Sequence, residues 1–164
     1  MHKKNQKGFT LIELLVVVAI IGILAAVGIT AFGGFLGSAK ANATQSNHKG
    51  IVSALQAEFT KCSIQGGNLQ WNTATPGSNT AVTCNGGSGG PADHQAAILV
   101  HFNNNGFNNP FDATIANAIT AGTADVLGET SIACTDSGTG GAGTCTITSM
   151  VSDSETLTDI VTKE

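Results

Sequence analysis

The chain has 164 residues, and only 11% of them are charged, with 11 acids against seven lysines for a formal net charge of −4. An ordinary soluble domain carries roughly 25% charged residues, and a basic nucleic-acid module has charge of the opposite sign. A 41% share of hydrophobic residues with so little net charge also excludes a disordered chain. Length alone predicts one domain, but much of the hydrophobicity sits in the first 40 residues.

Met1 to Lys7 holds Lys3, Lys4 and Lys7 and no acid, and no residue from Leu14 to Ala39 is charged. About 20 apolar residues cross a hydrocarbon core about 30 Å thick. Positive charge ahead of such a stretch holds that end on the cytoplasmic side, so everything after Ala39 is expected outside. An ordinary secretory signal has a polar region with a small-residue cleavage motif, and no such break follows this stretch. A plain anchor does not explain Glu13, a carboxylate set inside the apolar run that starts at Phe9. An ionised group in such surroundings is costly, and a partner for it is the default expectation.

Lys7-Gly8-Phe9-Thr10-Leu11-Ile12-Glu13-Leu14 resembles the processing site of type IV prepilins and the related pseudopilins. The resemblance is close over the first 35 or so residues and covers only the general plan beyond them. It implies cleavage of the Gly8–Phe9 bond by a dedicated membrane peptidase, N-methylation of the new Phe9 terminus, and an assembly role for Glu13. Physical logic points the same way. Cleavage removes the three lysines and creates a cationic amine at the start of a hydrophobic helix. In subunits stacked with an axial offset, that amine meets Glu13 of a neighbour. Correct register pairs both charges, and misalignment leaves both unpaired in an apolar setting, which is strongly unfavourable.

One position departs from the family pattern: Thr30 stands where a mid-helix proline is common. Gly22, Gly28, Gly33, Gly34 and Gly37 are spread through the same segment. They read either as points of helix weakening, since glycine costs about 1 kcal/mol against alanine, or as a close-packing surface of small residues.

Beyond the apolar stretch, Ile51, Val52, Leu55 and Phe59 recur at helical spacing, with Lys49, Glu58 and Lys61 pointing elsewhere. One helix is therefore predicted from Phe9 to about Lys61, roughly 80 Å at 1.5 Å per residue, stopped by Gly66-Gly67. Asn68 to Thr75 and Ala81 to Cys84 read as short strands, with Pro76-Gly77 and Asn85-Gly86-Gly87 as turns. Asp93 reads as the N-cap of a helix over Gln95 to Asn103, with Ile98, Leu99 and Phe102 inward. The Asn-rich run through Asn108-Asn109-Pro110 reads as a loop. Val126 to Cys134, Thr144 to Met150 and Thr156 to Thr162 are Thr- and Ile-rich and predict an antiparallel sheet. The fold class expected is α+β: a long N-terminal helix packed on a small antiparallel sheet. Its organisation is a leader over 1–8, a hydrophobic helix over 9–38 and a head over 39–164.

Cys62, Cys84, Cys134 and Cys145 all follow the membrane segment, where topology places them in an oxidising space. Four cysteines allow three connectivities. The local pairing, Cys62–Cys84 with Cys134–Cys145, is favoured, the second closing the glycine-rich segment Asp136 to Gly141 at its base. Such a loop near the C-terminus resembles the exposed variable region of many type IV pilins. Zinc is disfavoured, because no C-x-x-C occurs.

Other chemistry finds little support. His94 and His101 lie seven apart on one helix and read as part of a polar helix surface. Asp153, Glu155 and Asp159 carry oxygens that suit calcium but lack a recognised loop. No nucleophile elbow or phosphate loop is present, so neither catalysis nor a cofactor or metal is expected. Asn42-Ala43-Thr44 fits a glycosylation acceptor on a helix. The chain is thus expected to be a filament subunit of a type IV pilus, moving from the inner membrane to the cell surface. Its expected partners are other copies of itself, the prepilin peptidase, and an assembly platform with its ATPase. A pseudopilin, a minor tip subunit acting as adhesin or DNA receptor, and an anchored enzyme are the rivals. Loss of the leader leaves four lysines against 11 acids, about −7, which disfavours direct nucleic-acid binding.

Overall fold

The structure is a computed structural model that describes residues 8–72, 79–84, 90–115, 118–137 and 141–164. The expected turns at Pro76-Gly77 and Asn85-Gly86-Gly87, and most of the glycine-rich segment after Ser137, lie outside these residues. The chain divides into two compact units, Met1–Ala39 and Lys40–Glu164.

Helix α1, Leu11–Gln65, runs unbroken through every glycine of the apolar stretch. Glycine keeps its N–H and adds no clash, so it lowers helix propensity without removing a hydrogen bond. The isolated subunit therefore shows no break at these positions. The helix begins two residues after Phe9, because Thr10 caps it. It ends four residues past Lys61, where Gly66 and Gly67 take positive φ values of 60° and 79° and the Gly66 amide donates to the Cys62 carbonyl at 3.0 Å. Left-handed backbone at a helix end is a glycine function.

In the second unit one stripe of α1 is buried: Thr44, His48, Ile51, Leu55, Phe59 and Cys62. Spacings of three and four hold these residues on one face. The hydrophobic signal in the sequence starts only at Ile51, because the first two members are polar. Strands β1, Asn68–Asn72, and β2, Asn79–Thr83, form an antiparallel hairpin. Helix α2, Pro91–Asn104, starts earlier than the sequence suggests. Its N-cap is Gly90 and not Asp93, which lies in the first turn. Pro91 supplies a preset helical φ at the first position, and the Asp136 carboxylate accepts from the Ala92 amide at 2.9 Å, capping from another strand. A side chain at Gly90 would collide with that carboxylate.

The main sheet has the order β3-β4-β5-β6, with β3 Ile119–Thr120, β4 Thr130–Asp136, β5 Gly143–Ser152 and β6 Glu155–Lys163. β4, β5 and β6 pair antiparallel as the sequence predicts, whereas the short β3 runs parallel to β4. Residues 126–129, expected in a strand, form a turn: Gly128 adopts φ 82° and packs against Asn109 and Phe111. Alternate residues of β5 are buried. Its inward side chains join Ile132, Val161 and the faces of α1 and α2 in one core that also holds Ile98 and Phe102. Leu99 packs at the edge of that core.

The cysteines form two disulfides, Cys62–Cys84 and Cys134–Cys145. The first ties the end of α1 to the end of the hairpin. The second crosses between directly paired residues of β4 and β5. Lys163 joins the two, its buried ammonium donating to the Cys84 carbonyl at 2.8 Å and the Gly141 carbonyl at 2.6 Å. Burial lowers the Lys163 pKa, while Asp136 opposes that shift.

Candidate functional site

Gly8, Phe9 and Thr10 precede α1 in non-helical backbone, and all three are exposed. Among the described residues nothing lies within 4 Å of a side chain built at Gly8. Thr10 is the N-cap of α1. The Glu13 carboxylate accepts from the Thr10 amide and from the Thr10 hydroxyl, both at 2.8 Å. The Glu13 amide in turn donates to Thr10 Oγ1 at 3.3 Å. This reciprocal arrangement is a capping box, which satisfies two of the amides left open at a helix start. Glu13 borders a shallow surface shared with Phe9, Ile12, Val16 and Val17.

From Gly8 to Ala39 every residue except Gly28 is exposed. Phe9, Leu11 and Ile29 expose 87%, 82% and 76% of their surface. This segment is long and apolar enough to cross a membrane. Soluble monomers rarely leave so large a contiguous apolar surface uncovered. The ends of the segment are polar: Glu13 at one and Lys40 at the other, where Lys40 Nζ donates to the Phe111 carbonyl at 3.4 Å.

The head brings together groups that the sequence kept apart. His48 Nδ1 lies 2.8 Å from Ser149 Oγ, and its Nε2 lies 2.9 Å from Asp159 Oδ2. Ser149 Oγ continues to Thr130 Oγ1 at 2.6 Å. The residue types are those of a hydrolase triad, but Ser149 is fully buried, and its hydroxyl already has two partners. The chain of bonds fastens α1 to β4, β5 and β6. Asp159, weighed above as an oxygen ligand, is committed to His48. Among the described residues no three His, Cys, Asp or Glu side chains cluster as metal ligands.

His94 corrects the reading of α2 as carrying a polar histidine surface. It is fully buried, and Trp71 Nε1 donates to its Nδ1 at 3.0 Å. His101 is half-buried, with its ring centroid 5.4 Å from Trp71. The signal was present, since His94, Ile98, His101 and Phe102 share the inward face at helical spacing. Asn109, within the expected loop, is buried and holds that loop in place. Its Nδ2 donates to the Leu127 carbonyl at 2.8 Å, and its Oδ1 accepts from the Phe111 and Asp112 amides. Thr44 of the glycosylation tripeptide is buried, with its hydroxyl donating to the Lys40 carbonyl.

The described residues thus hold an exposed apolar helix start with a capped acid and a disulfide-closed α+β head. The family description "Prokaryotic N-terminal methylation motif" matches residues 3–29. A type IV major fimbrial protein, FimA, of Dichelobacter nodosus is 32% identical over 117 residues, covering 63% of this chain and 75% of the relative. A fimbrial protein of Pseudomonas aeruginosa is 42% identical over 73 residues, 44% of each chain. The type IV major pilin PilA of Myxococcus xanthus is 46% identical over 57 residues, 35% of this chain and 26% of the relative. No solved structure matches the chain. The chain belongs to the type IV pilin family, a family of structural subunits.

Proposed function

We propose that the chain is a structural subunit of a type IV pilus, cut between Gly8 and Phe9, N-methylated at Phe9 and polymerised through α1. The single observation that carries this reading is Glu13. It is a lone carboxylate at the start of an apolar stretch, Leu11 to Ala39, that is exposed among the described residues. Residues 1–8 act as the leader, 9–38 as the membrane and filament-core helix, and 39–164 as the head. Gly8 is the position at which the family resemblance puts recognition by the peptidase. After cleavage the Phe9 amine of one copy pairs with Glu13 of the next.

The precursor sits in the inner membrane, and the assembled filament stands outside the cell. Moving apolar helices from lipid into contact with one another changes little hydrophobic burial. Extraction of each subunit therefore needs an energy source, which the family resemblance gives as an assembly platform and its ATPase. Among the described residues, Ser149 of the triad-like chain is buried. Mass spectrometry of filaments sheared from the cell surface tests this reading. The expected mass is that of a chain starting at methylated Phe9 with both disulfides closed. An abundant filament protein starting at Met1 overturns it.

A further inference from the structure

We propose that Trp71, His94 and His101 form an acid-responsive latch, which holds the β1–β2 hairpin against α2 at neutral pH and releases it on protonation. This inference is independent of the assembly reading. An indole N–H only donates, so the 3.0 Å bond from Trp71 Nε1 requires a lone pair on His94 Nδ1. The ring is therefore neutral, with its proton on Nε2. Adding a proton at Nδ1 sets donor against donor within a site where Trp71 is 1% and His94 0% exposed. The rings also meet edge to face, with Trp71 at 6.2 Å and Phe59 at 6.0 Å from His94.

His101, whose ring also meets Trp71 edge to face at 5.4 Å, acts in the same direction. Burial lowers its pKa, and Glu58 only opposes that shift. A histidine favoured in the neutral form by folding contributes stability above the ordinary histidine range. That contribution is lost as pH falls through the range.

Few other charged groups stand on the packed elements among the described residues. β1, β2, β3 and β5 carry no titrating side chain, since Cys145 is in a disulfide. α1 brings Glu58, Lys61 and His48, the last held by Ser149 and Asp159. α2 adds Asp93. β4 adds Asp136, whose carboxylate caps the Ala92 amide. β6 adds Lys163, committed to two carbonyls. The Cys62–Cys84 disulfide retains the base of the hairpin when the latch opens.

Trp71 is the only tryptophan, so the full chain in detergent reports on its own latch. Between about pH 8 and about pH 5, spanning the histidine range, Trp71 emission is expected to shift to the red. Acrylamide quenching should rise severalfold, helical circular dichroism should persist, and all changes should reverse on neutralisation. His94→Asn places a non-titrating acceptor at the Nδ1 position and is expected to remove most of the transition. Constant emission and quenching across the range, an undiminished transition in His94→Asn, or loss of helix together with the shift overturns the proposal. Nitrogen-15 spectra of the unmutated chain give an independent check. An Nε2–H tautomer at neutral pH supports the latch, and an Nδ1–H tautomer overturns it.

Discussion

The two ends of α1 share one backbone and have opposite surfaces. From Thr44 to Cys62, residues at spacings of three and four turn inward, and the sheet and α2 cover them. From Leu11 to Ala39 the apolar residues go all round the helix and are exposed among the described residues. An amphipathic stripe implies a partner within the same fold, whereas an apolar surface on all sides implies lipid or many neighbours. The contrast teaches where each half obtains its stability. The head is held by two disulfides and a core, whereas the N-terminal half leaves its apolar residues exposed.

The largest effect should come from removing the Glu13 carboxylate. Glu13→Val is expected to leave the membrane precursor and its processing largely intact while abolishing filaments. Immunoblots of membranes and of sheared surface fractions measure the two separately. Normal filament yield would erase the distinction between the halves of α1.

Next come the head's covalent ties. Opening Cys62–Cys84 by Cys84→Ser should cost about 3 kcal/mol in the chain-entropy model, slightly more than opening Cys134–Cys145, because its loop is longer. Denaturant unfolding of each variant gives the order. Lys163→Met strands the Cys84 and Gly141 carbonyls in a buried site and should cost about 1–3 kcal/mol by the same measurement. Neither change should alter membrane insertion of the precursor.

The smallest effect is expected at the cap. Thr10→Ala removes the hydroxyl that anchors the start of α1, at about 1 kcal/mol. Faster amide exchange over the first turn would register it. Filament assembly should survive, because the Glu13 carboxylate stays available.

The parts of this account that were legible in the sequence were those written in apolar period and in charge. The lysine-rich start, the apolar run, Glu13 and the Ile51–Phe59 stripe are of that kind. So are the three Thr- and Ile-rich strands of the main sheet, whose alternation survives in β5. Polar residues with inward roles escaped. Thr44 and His48 extend the buried stripe but score as surface, and His94 is buried with Trp71 donating to its ring. The start of α2 was misplaced because its cap comes from Asp136, 45 residues after Pro91, and no local pattern encodes that contact. β3 has two residues and gains its strand geometry from β4. Asn103 then occupies both backbone groups of Ile119, at 2.9 and 3.0 Å. The Ser149–His48–Asp159 chain spans 111 positions, so no spacing rule reaches it.

The central claim is that Glu13 exchanges its own cap for the terminus of a neighbour. A map of the intact filament, detailed enough to place side chains, tests this most directly. The account predicts the Glu13 carboxylate within ion-pair distance of the Phe9 amine of an adjacent subunit. A carboxylate that remains bonded only to Thr10 of its own chain, with every neighbouring amine elsewhere, would contradict it.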